Sequence, residues 1–294
     1  MPMNTLLERL IGRIEAATAL DPIADRVAGL VGTALKSDRL TSTASGTPLA
    51  HPLHPALVLL PAGSLLSASY LDARGEQAAA QRLVLLGLLS ALPAALTGAT
   101  DWSYTQGAER RVGLVHALAN AAGLACYTSS WIARRQRRRV AGTAWALAGA
   151  AMLGLGGWLG GHLAYARGVG VDTTAFQVAP QDWVDVLAEA ELVEGQPTLV
   201  RAGGLPVLLV KQAGTVRALS DRCTHRGGPL HEGSMTAGGV RCPWHGSEFR
   251  LSDGTPVRGP ASRPQPVWQV RVELGRVQVR RSDEQGALRT NPAS

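Results

Sequence analysis

The chain holds 294 residues, 46% hydrophobic, 17% charged and 4% aromatic, with a formal net charge of +7. Average chains carry about 25% charged residues, so this one is charge-poor, and a disordered polar chain, a collagen-like chain and a coiled coil are excluded. Three cysteines, Cys126, Cys223 and Cys242, are too few for a secreted disulfide framework. The charge is segregated: residues 1–40 balance five basic against five acidic groups, residues 41–178 hold ten arginines against five acids, and residues 179–294 hold fourteen basic against twelve acidic groups. Nearly all basic residues are arginine, and no basic tract is interleaved with aromatics. A nucleic-acid partner is therefore not expected.

Residues 4–35 have helical periodicity. Leu6, Leu7, Leu10, Ile11 and Ile14 form one stripe, and Ile23, Val27, Leu30 and Val31 repeat it. Asp21-Pro22 between them reads as an N-cap followed by the first helical residue. With balanced charge this is an interfacial or docking hairpin. It is not a signal peptide, because Glu8 and Glu15 interrupt the apolar run. A Ser/Thr/Gly linker follows at 41–49.

Four uncharged apolar segments come next, from Pro55 to Leu71, Leu83 to Thr100, Val112 to Ile132 and Val140 to about Tyr165. A helix needs about 20 apolar residues to cross the hydrocarbon core, and about 17 are tolerated. Four in a row, joined by short charged loops, predict a membrane bundle in the lipid bilayer. Gly and Ala in the fourth suit close helix packing. Trp102, Tyr104, Trp131 and Tyr165 sit at segment ends, where an aromatic belt belongs. The loop Arg134-Arg135-Gln136-Arg137-Arg138-Arg139 is placed in the cytoplasm by the positive-inside rule, which sends everything after Tyr165 to the outer face. Read instead as a twin-arginine-like signal, the same run gives the same outcome. The expected location is a bacterial inner membrane, crossed several times.

From about residue 180 the pattern turns to strands. Thr198 to Arg201, Val207 to Lys211 and Thr215 to Leu219 are short apolar runs with a turn at Ala213-Gly214. Val267 to Leu274 and Arg276 to Arg280 alternate around Gly275. Within this part stand Cys223-Thr224-His225 and Cys242-Pro243-Trp244-His245. Two thiolates and two imidazoles can hold zinc, and a Cys2His2 finger is the rival reading. A finger, however, orders its ligands Cys, Cys, His, His. Here Cys and His alternate, and glycines follow each pair (Gly227-Gly228 and Gly246). Two ligands per loop is the arrangement of a Rieske [2Fe–2S] centre, in which one iron takes both thiolates and the other both imidazoles.

Over residues 180–281 the sequence resembles the Rieske family. The resemblance is carried by Cys-Thr-His-Arg-Gly-Gly-Pro-Leu from Cys223, by Cys-Pro-Trp-His-Gly-Ser from Cys242, and by Gly259-Pro260-Ala261 at the family's proline loop. It implies an antiparallel β-sandwich with cluster-binding loops. It also implies Cys223 and Cys242 on the buried iron, His225 and His245 on the outer iron, and Ser247 as a hydrogen-bond donor to cluster sulfur. Two departures from the bc-complex type stand out. The positions of its loop disulfide are Gly227 and Trp244, and its tyrosine donor is Phe249. Fewer donors stabilise the reduced cluster less, so the expected potential lies below that of the bc type and the nearer kin are ferredoxin-like Rieske domains.

Four further histidines, His51, His54, His116 and His162, are expected at one leaflet, the one facing the Rieske domain. Ionisable groups in a membrane are functional candidates. Axial ligation of haem b, a quinone site and simple helix capping all remain open for them. Around them, His-Pro-Leu-His-Pro (51–55), Leu-Thr-Gly-Ala-Thr-Asp-Trp (96–102), Gly-Leu-Val-His-Ala-Leu-Ala-Asn (113–120) and Gly-Gly-His-Leu-Ala-Tyr (160–165) resemble a bacterial four-helix membrane domain of uncharacterised function that occurs fused to Rieske domains. Cys126 and Asp101 are read as packing and helix-end residues.

The expected organisation is an amphipathic helical segment and linker (1–44), an all-α four-helix transmembrane bundle (45–172), a linker (173–179), an all-β Rieske domain (180–281) and a polar tail (282–294). The expected function is single-electron transfer between a membrane donor, quinol or haem, and a redox partner. Alternatives are a ferredoxin-like component feeding a separate oxygenase or reductase, and a non-catalytic redox sensor. A self-contained Rieske oxygenase is not expected. It needs a second iron on two His and a carboxylate, and outside the cluster ligands the C-terminal part offers only His231.

Overall fold

The computed structural model describes residues 6–35 and 37–281. It comprises two compact units: Met1–Lys36 with Pro52–Gly170, and Ser37–His51 with Val171–Ser294. The expected tail, 282–294, lies outside the described residues. Residues 37–51 were expected to divide between an N-terminal segment and the membrane domain; they cluster with the β unit instead.

The helical unit contains α1 (Leu6–Ala16), α2 (Asp21–Ala34), α4 (His54–Ala73), α5 (Gln77–Ser103), α6 (Gly107–Arg135) and α7 (Arg139–Gly161). α3 (Asp38–Ala44) belongs to the other unit. Ile11 of α1 is buried against Val112 and Leu159, so the first amphipathic helix docks on α6 and α7. α2 starts one residue earlier than expected: Asp21 is its first residue, Pro22 its second, and Leu20 is the N-cap. The Asp21 carboxylate is used elsewhere, accepting two hydrogen bonds from Arg111 Nη1 at 2.8 and 2.9 Å.

Among the described residues, three helices are long and apolar enough to cross a membrane: His54–Ala73, Gln77–Ser103 and Arg139–Ala166. The last includes a π turn at His162–Ala166. The third predicted segment forms α6, 29 residues long. His116, Asn120, Tyr127, Thr128, Ser129 and Ser130 dilute its apolar run, so its composition leaves it outside that set.

Hairpin α4–α5 is repeated by hairpin α6–α7 at an offset of 62 residues. The first turn is closed by Arg74 N to Tyr70 O, Gly75 N to Asp72 O and Glu76 N to Leu71 O; the second by Gln136 N to Ile132 O, Arg137 N to Arg134 O and Arg138 N to Ala133 O. Gly75 and Arg137 share a left-handed backbone, φ 79° and 61°. Equivalent residues of the repeats meet each other: Tyr127 Oη donates to Leu65 O at 3.2 Å, and Arg134 grips Asp72. Arg134 therefore does not serve in the loop as a topology charge. Its guanidinium is 2% exposed, with Nη1 2.6 Å from Asp72 Oδ1 and Nε 3.0 Å from Ser130 Oγ.

The β unit has two antiparallel sheets. The larger has the order β1-β10-β9-β4-β3-β2, formed by Val184–Ala188, Arg276–Arg281, Val267–Glu273, Thr215–Ser220, Leu205–Gln212 and Pro197–Ala202. The smaller is β5-β6-β7-β8, formed by Ser234–Met235, Gly239–Arg241, Glu248–Arg250 and Pro256–Arg258. Ala213-Gly214 and Leu274-Gly275 turn the predicted hairpins with both residues at positive φ, as two-residue turns matching strand twist require. Val207 to Val210 are buried consecutively because β3 is covered on both faces. Val207 and Leu209 enter a core with Trp268 and Val279, while Leu208 and Val210 enter a second core with Cys223 and Cys242.

Breaking a buried ion pair from one side leaves an uncompensated charge, at a cost of about 3–5 kcal/mol, whereas replacing both partners by apolar residues is often neutral. Asp72→Ala is expected to destabilise the detergent-solubilised chain by about that amount, and Asp72→Leu with Arg134→Leu to recover most of it. Thermal unfolding followed by circular dichroism checks both.

Candidate metal centre

Two equivalent loops border the smaller sheet: one leads into it from β4 of the larger sheet, and the other joins its own β6 and β7. After β4, Cys223 N–H donates to Gly228 O at 2.9 Å and Gly227 N–H to Cys223 O at 2.8 Å. After β6, Cys242 N–H donates to Ser247 O at 2.8 Å and Gly246 N–H to Cys242 O at 3.2 Å. Gly227 and Gly246, φ 79° and 73°, supply the left-handed step that closes each knuckle. The thiols point into the second core, Cys223 1% and Cys242 3% exposed. The imidazoles lie further out and are half-buried, with ring centroids 5.1 Å apart and planes at 89°.

The Cys223 thiol donates to Cys242. Its hydrogen bond to Cys242, with burial, raises the Cys223 thiol well above its ordinary value. Accepting that bond, against the cost of burial, brings Cys242 down to about 7, helped by the N–H groups of Trp244 and His245. Burial, then His245 and Arg226, push His225 down to about 3, and burial and Arg226 lower His245. Neutral imidazoles and a Cys242 thiol that ionises readily are forms a metal needs. Among the described residues no three His, Cys, Asp or Glu gather around one point. The four converge as a sulfur pair and a nitrogen pair, which suits two irons better than one zinc. Gly228 leaves room beside the sulfurs, since a Cβ there would stand 2.8 Å from Cys242 Sγ. Ser247 is fully buried and accepts from Ala261 N–H at 2.9 Å, so its own proton remains available to donate. Phe249 is fully buried in the same core as both cysteines and has no donor to offer.

Two supports went unread in the sequence. Gln265, fully buried, accepts from Thr224 N–H at 3.1 Å and donates to Ser220 O and Arg222 O, both at 2.6 Å, bracing the first loop from another loop 40 residues on. Asp221 accepts from His231 N–H at 2.7 Å and pairs with His231 Nδ1 at 2.8 Å, which ties His231 into the wall of that loop. Neither residue belongs to a spaced motif, so only the folded chain reveals them. The third loop, 259–266, is covered by residues 37–51. Gly259 N–H donates to Ser42 Oγ at 2.9 Å, Thr47 Oγ1 to Ala261 O at 2.9 Å, and Arg258 pairs with Asp38 at 2.6 Å.

The four outlying histidines separate. His51 is in the β unit, where its Nε2 lies 3.3 Å from Arg263 Nη1. His162 pairs with Glu15 at 3.0 Å. His54 and His116 bond to carbonyls of neighbouring helices in the helical unit.

Residues 182–271 match the family model of the Rieske [2Fe-2S] domain. Residues 50–173 match a family described as Predicted membrane protein (DUF2231). Ferredoxin CarAc of Metapseudomonas resinovorans is 32% identical over 100 residues, which are 34% of this chain and 94% of the ferredoxin. The anthranilate 1,2-dioxygenase ferredoxin subunit of Burkholderia cepacia is 30% identical over 98 residues, 33% of this chain and 91% of the subunit. Human apoptosis-inducing factor 3 is 40% identical over 108 residues, 36% of this chain; the chain spans only 18% of that longer protein. The chain belongs to the Rieske [2Fe-2S] family, and a [2Fe-2S] cluster is its cofactor. Within that family it is a fusion, its Rieske part preceded by a predicted membrane domain with three helices apolar enough to span.

Gly228→Ala is expected to cut cluster occupancy severely while leaving the larger sheet folded, checked by iron and sulfide content against circular dichroism. Gln265→Leu leaves the Thr224 N–H and two carbonyls without their bonds. It is expected to cost at least about 2 kcal/mol, read as a lower unfolding midpoint of the full chain.

Proposed function

We propose that the chain is a membrane-anchored carrier of single electrons, with Cys223 and Cys242 on one iron and His225 and His245 on the other. The observation that carries this reading is the pairing of two buried thiols with two half-buried imidazoles on matched loops. The bound cluster supplies a one-electron couple there. The chain's own residues set its terms. Backbone N–H groups donate to the thiol sulfurs and favour the thiolates. Ser247 is held by Ala261 so that its hydroxyl turns to the cluster. His225 and His245 present ring edges to a partner, beside Trp244, which is 57% exposed.

On this reading the helices of residues 52–170 form the anchor, α6 joins the three apolar helices as a fourth span, the 180–281 domain takes in residues 37–51 as well, and 282–294 are a polar tail. The loop after α6 keeps Arg135, Arg137, Arg138 and Arg139 as cytoplasmic charges, which supports an outer-face position for the Rieske domain in a bacterial inner membrane. The donor is a membrane quinol or haem. A second reading has support in the ferredoxin subunit of a dioxygenase among the relatives: electrons pass to a separate oxygenase or reductase. Reduction of such a partner by the purified chain, against reduction of the chain by quinol-loaded membranes, separates the two.

The test is EPR of the dithionite-reduced full chain in detergent. A rhombic Rieske signal is expected, lost in Cys223→Ser and in His245→Ala; a zinc content of one per chain without iron overturns the assignment. The midpoint potential is expected below that of bc-type clusters, because Phe249 stands where a tyrosine would donate. Phe249→Tyr is expected to raise it, and redox titration of both proteins checks the sign.

A further inference from the structure

The repeated hairpins place two imidazoles in matching surroundings. His54, the first residue of α4, and His116 on α6 are equivalent at the 62-residue offset. His54 Nδ1 lies 2.8 Å from Ala94 O, and His116 Nδ1 lies 2.7 Å from Gly156 O, each acceptor 40 residues further along the chain. One turn beyond each acceptor is a glycine whose missing side chain makes room for the ring. A Cβ on Gly98 would stand 2.6 Å from His54 Cε1, and one on Gly160 3.1 Å from His116 Cε1.

A carbonyl oxygen only accepts, so each Nδ1 carries its ring's proton. In the neutral ring Nε2 then holds the lone pair, the arrangement by which an outer hydrogen bond fixes a histidine for metal ligation. Asn120 Nδ2 lies 3.2 Å from His116 Nε2 and is placed to donate to it. The same amide also bonds His116 O at 2.9 Å, so it can release the ring nitrogen without losing its partner. On α4, His54 shares a stripe with Pro61, Leu65, Ala68 and Asp72. Leu65 and Asp72 on that stripe meet their repeat equivalents Tyr127 and Arg134. His54 and His116 therefore belong to the side of each repeat that faces the other.

We infer that His54 and His116 form a bis-histidine haem site in the membrane domain. Donor count selects the ligand. A bare divalent ion takes three or four protein ligands, and among the described residues no third His, Cys, Asp or Glu joins these two. A haem iron takes four nitrogens from its macrocycle and needs only two axial side chains, which helices of a bundle can supply. His162, held by Glu15, and His51, beside Arg263, take no part.

The inference stands apart from the cluster assignment and is read by a different signal. The full chain is expressed with haem precursor and purified in detergent, and the pyridine haemochrome and ferric EPR spectrum are measured. One protohaem per chain with a low-spin signal is expected. At least a tenfold loss is expected in His54→Ala and in His116→Ala, with full retention in His162→Ala and His51→Ala. The Rieske EPR signal and monodisperse elution are expected unchanged throughout, which separates lost ligation from lost folding. Wild-type chain with a full Rieske signal and no protohaem overturns the inference. So does haem that survives in both His54→Ala and His116→Ala.

Discussion

The site rests on one constraint, the closing of each cysteine loop by main-chain hydrogen bonds. In both loops the cysteine N–H is held by a carbonyl five residues on, and the cysteine C=O by an N–H four residues on, with a left-handed glycine making the step. A loop closed this way has fixed its side-chain directions. The cysteine enters the apolar core and the histidine two or three residues later stays near the surface. Reactive sulfur is thus kept from water while the imidazole edge remains reachable, the division of labour that outer-sphere electron transfer requires.

The loops do not stand alone. Gln265 satisfies three main-chain groups of the first loop from inside the protein, where an unpaired group would cost about 1–3 kcal/mol. The third loop is held by residues 37–51, through Ser42, Thr47 and Asp38. More than two hundred residues separate that segment from the loop it covers. A piece of chain that sequence order puts before the long apolar helices is structurally part of the Rieske unit.

The helical domain is organised by a different force. Its helices are joined by close packing and by buried polar contacts. The contacts here fall at equivalent positions of a doubled hairpin. Glycines admit Leu65 and Tyr127, carbonyls receive His54 and His116, and the Asp72–Arg134 pair joins the repeats. The duplication is almost invisible as residue identity because each position needs only a small residue, a carbonyl or a matching charge.

The sequence by itself determined the chemistry. Alternating Cys and His with trailing glycines marked the paired loops, uncharged runs marked the apolar helices, and Gly214 and Gly275 between alternating runs marked two hairpins. These signals are local, set by spacing and side-chain type within a few residues. Only the tertiary structure decided which charges are buried, what braces the loops and which histidines correspond. Arg134 reads as a loop charge and is an interior one; Gln265 and Asp221 belong to no motif and are supports; His51 reads as a membrane residue and belongs to the β unit. Each depends on a partner tens to hundreds of residues away, and a long-range contact leaves no periodic trace in the chain that makes it.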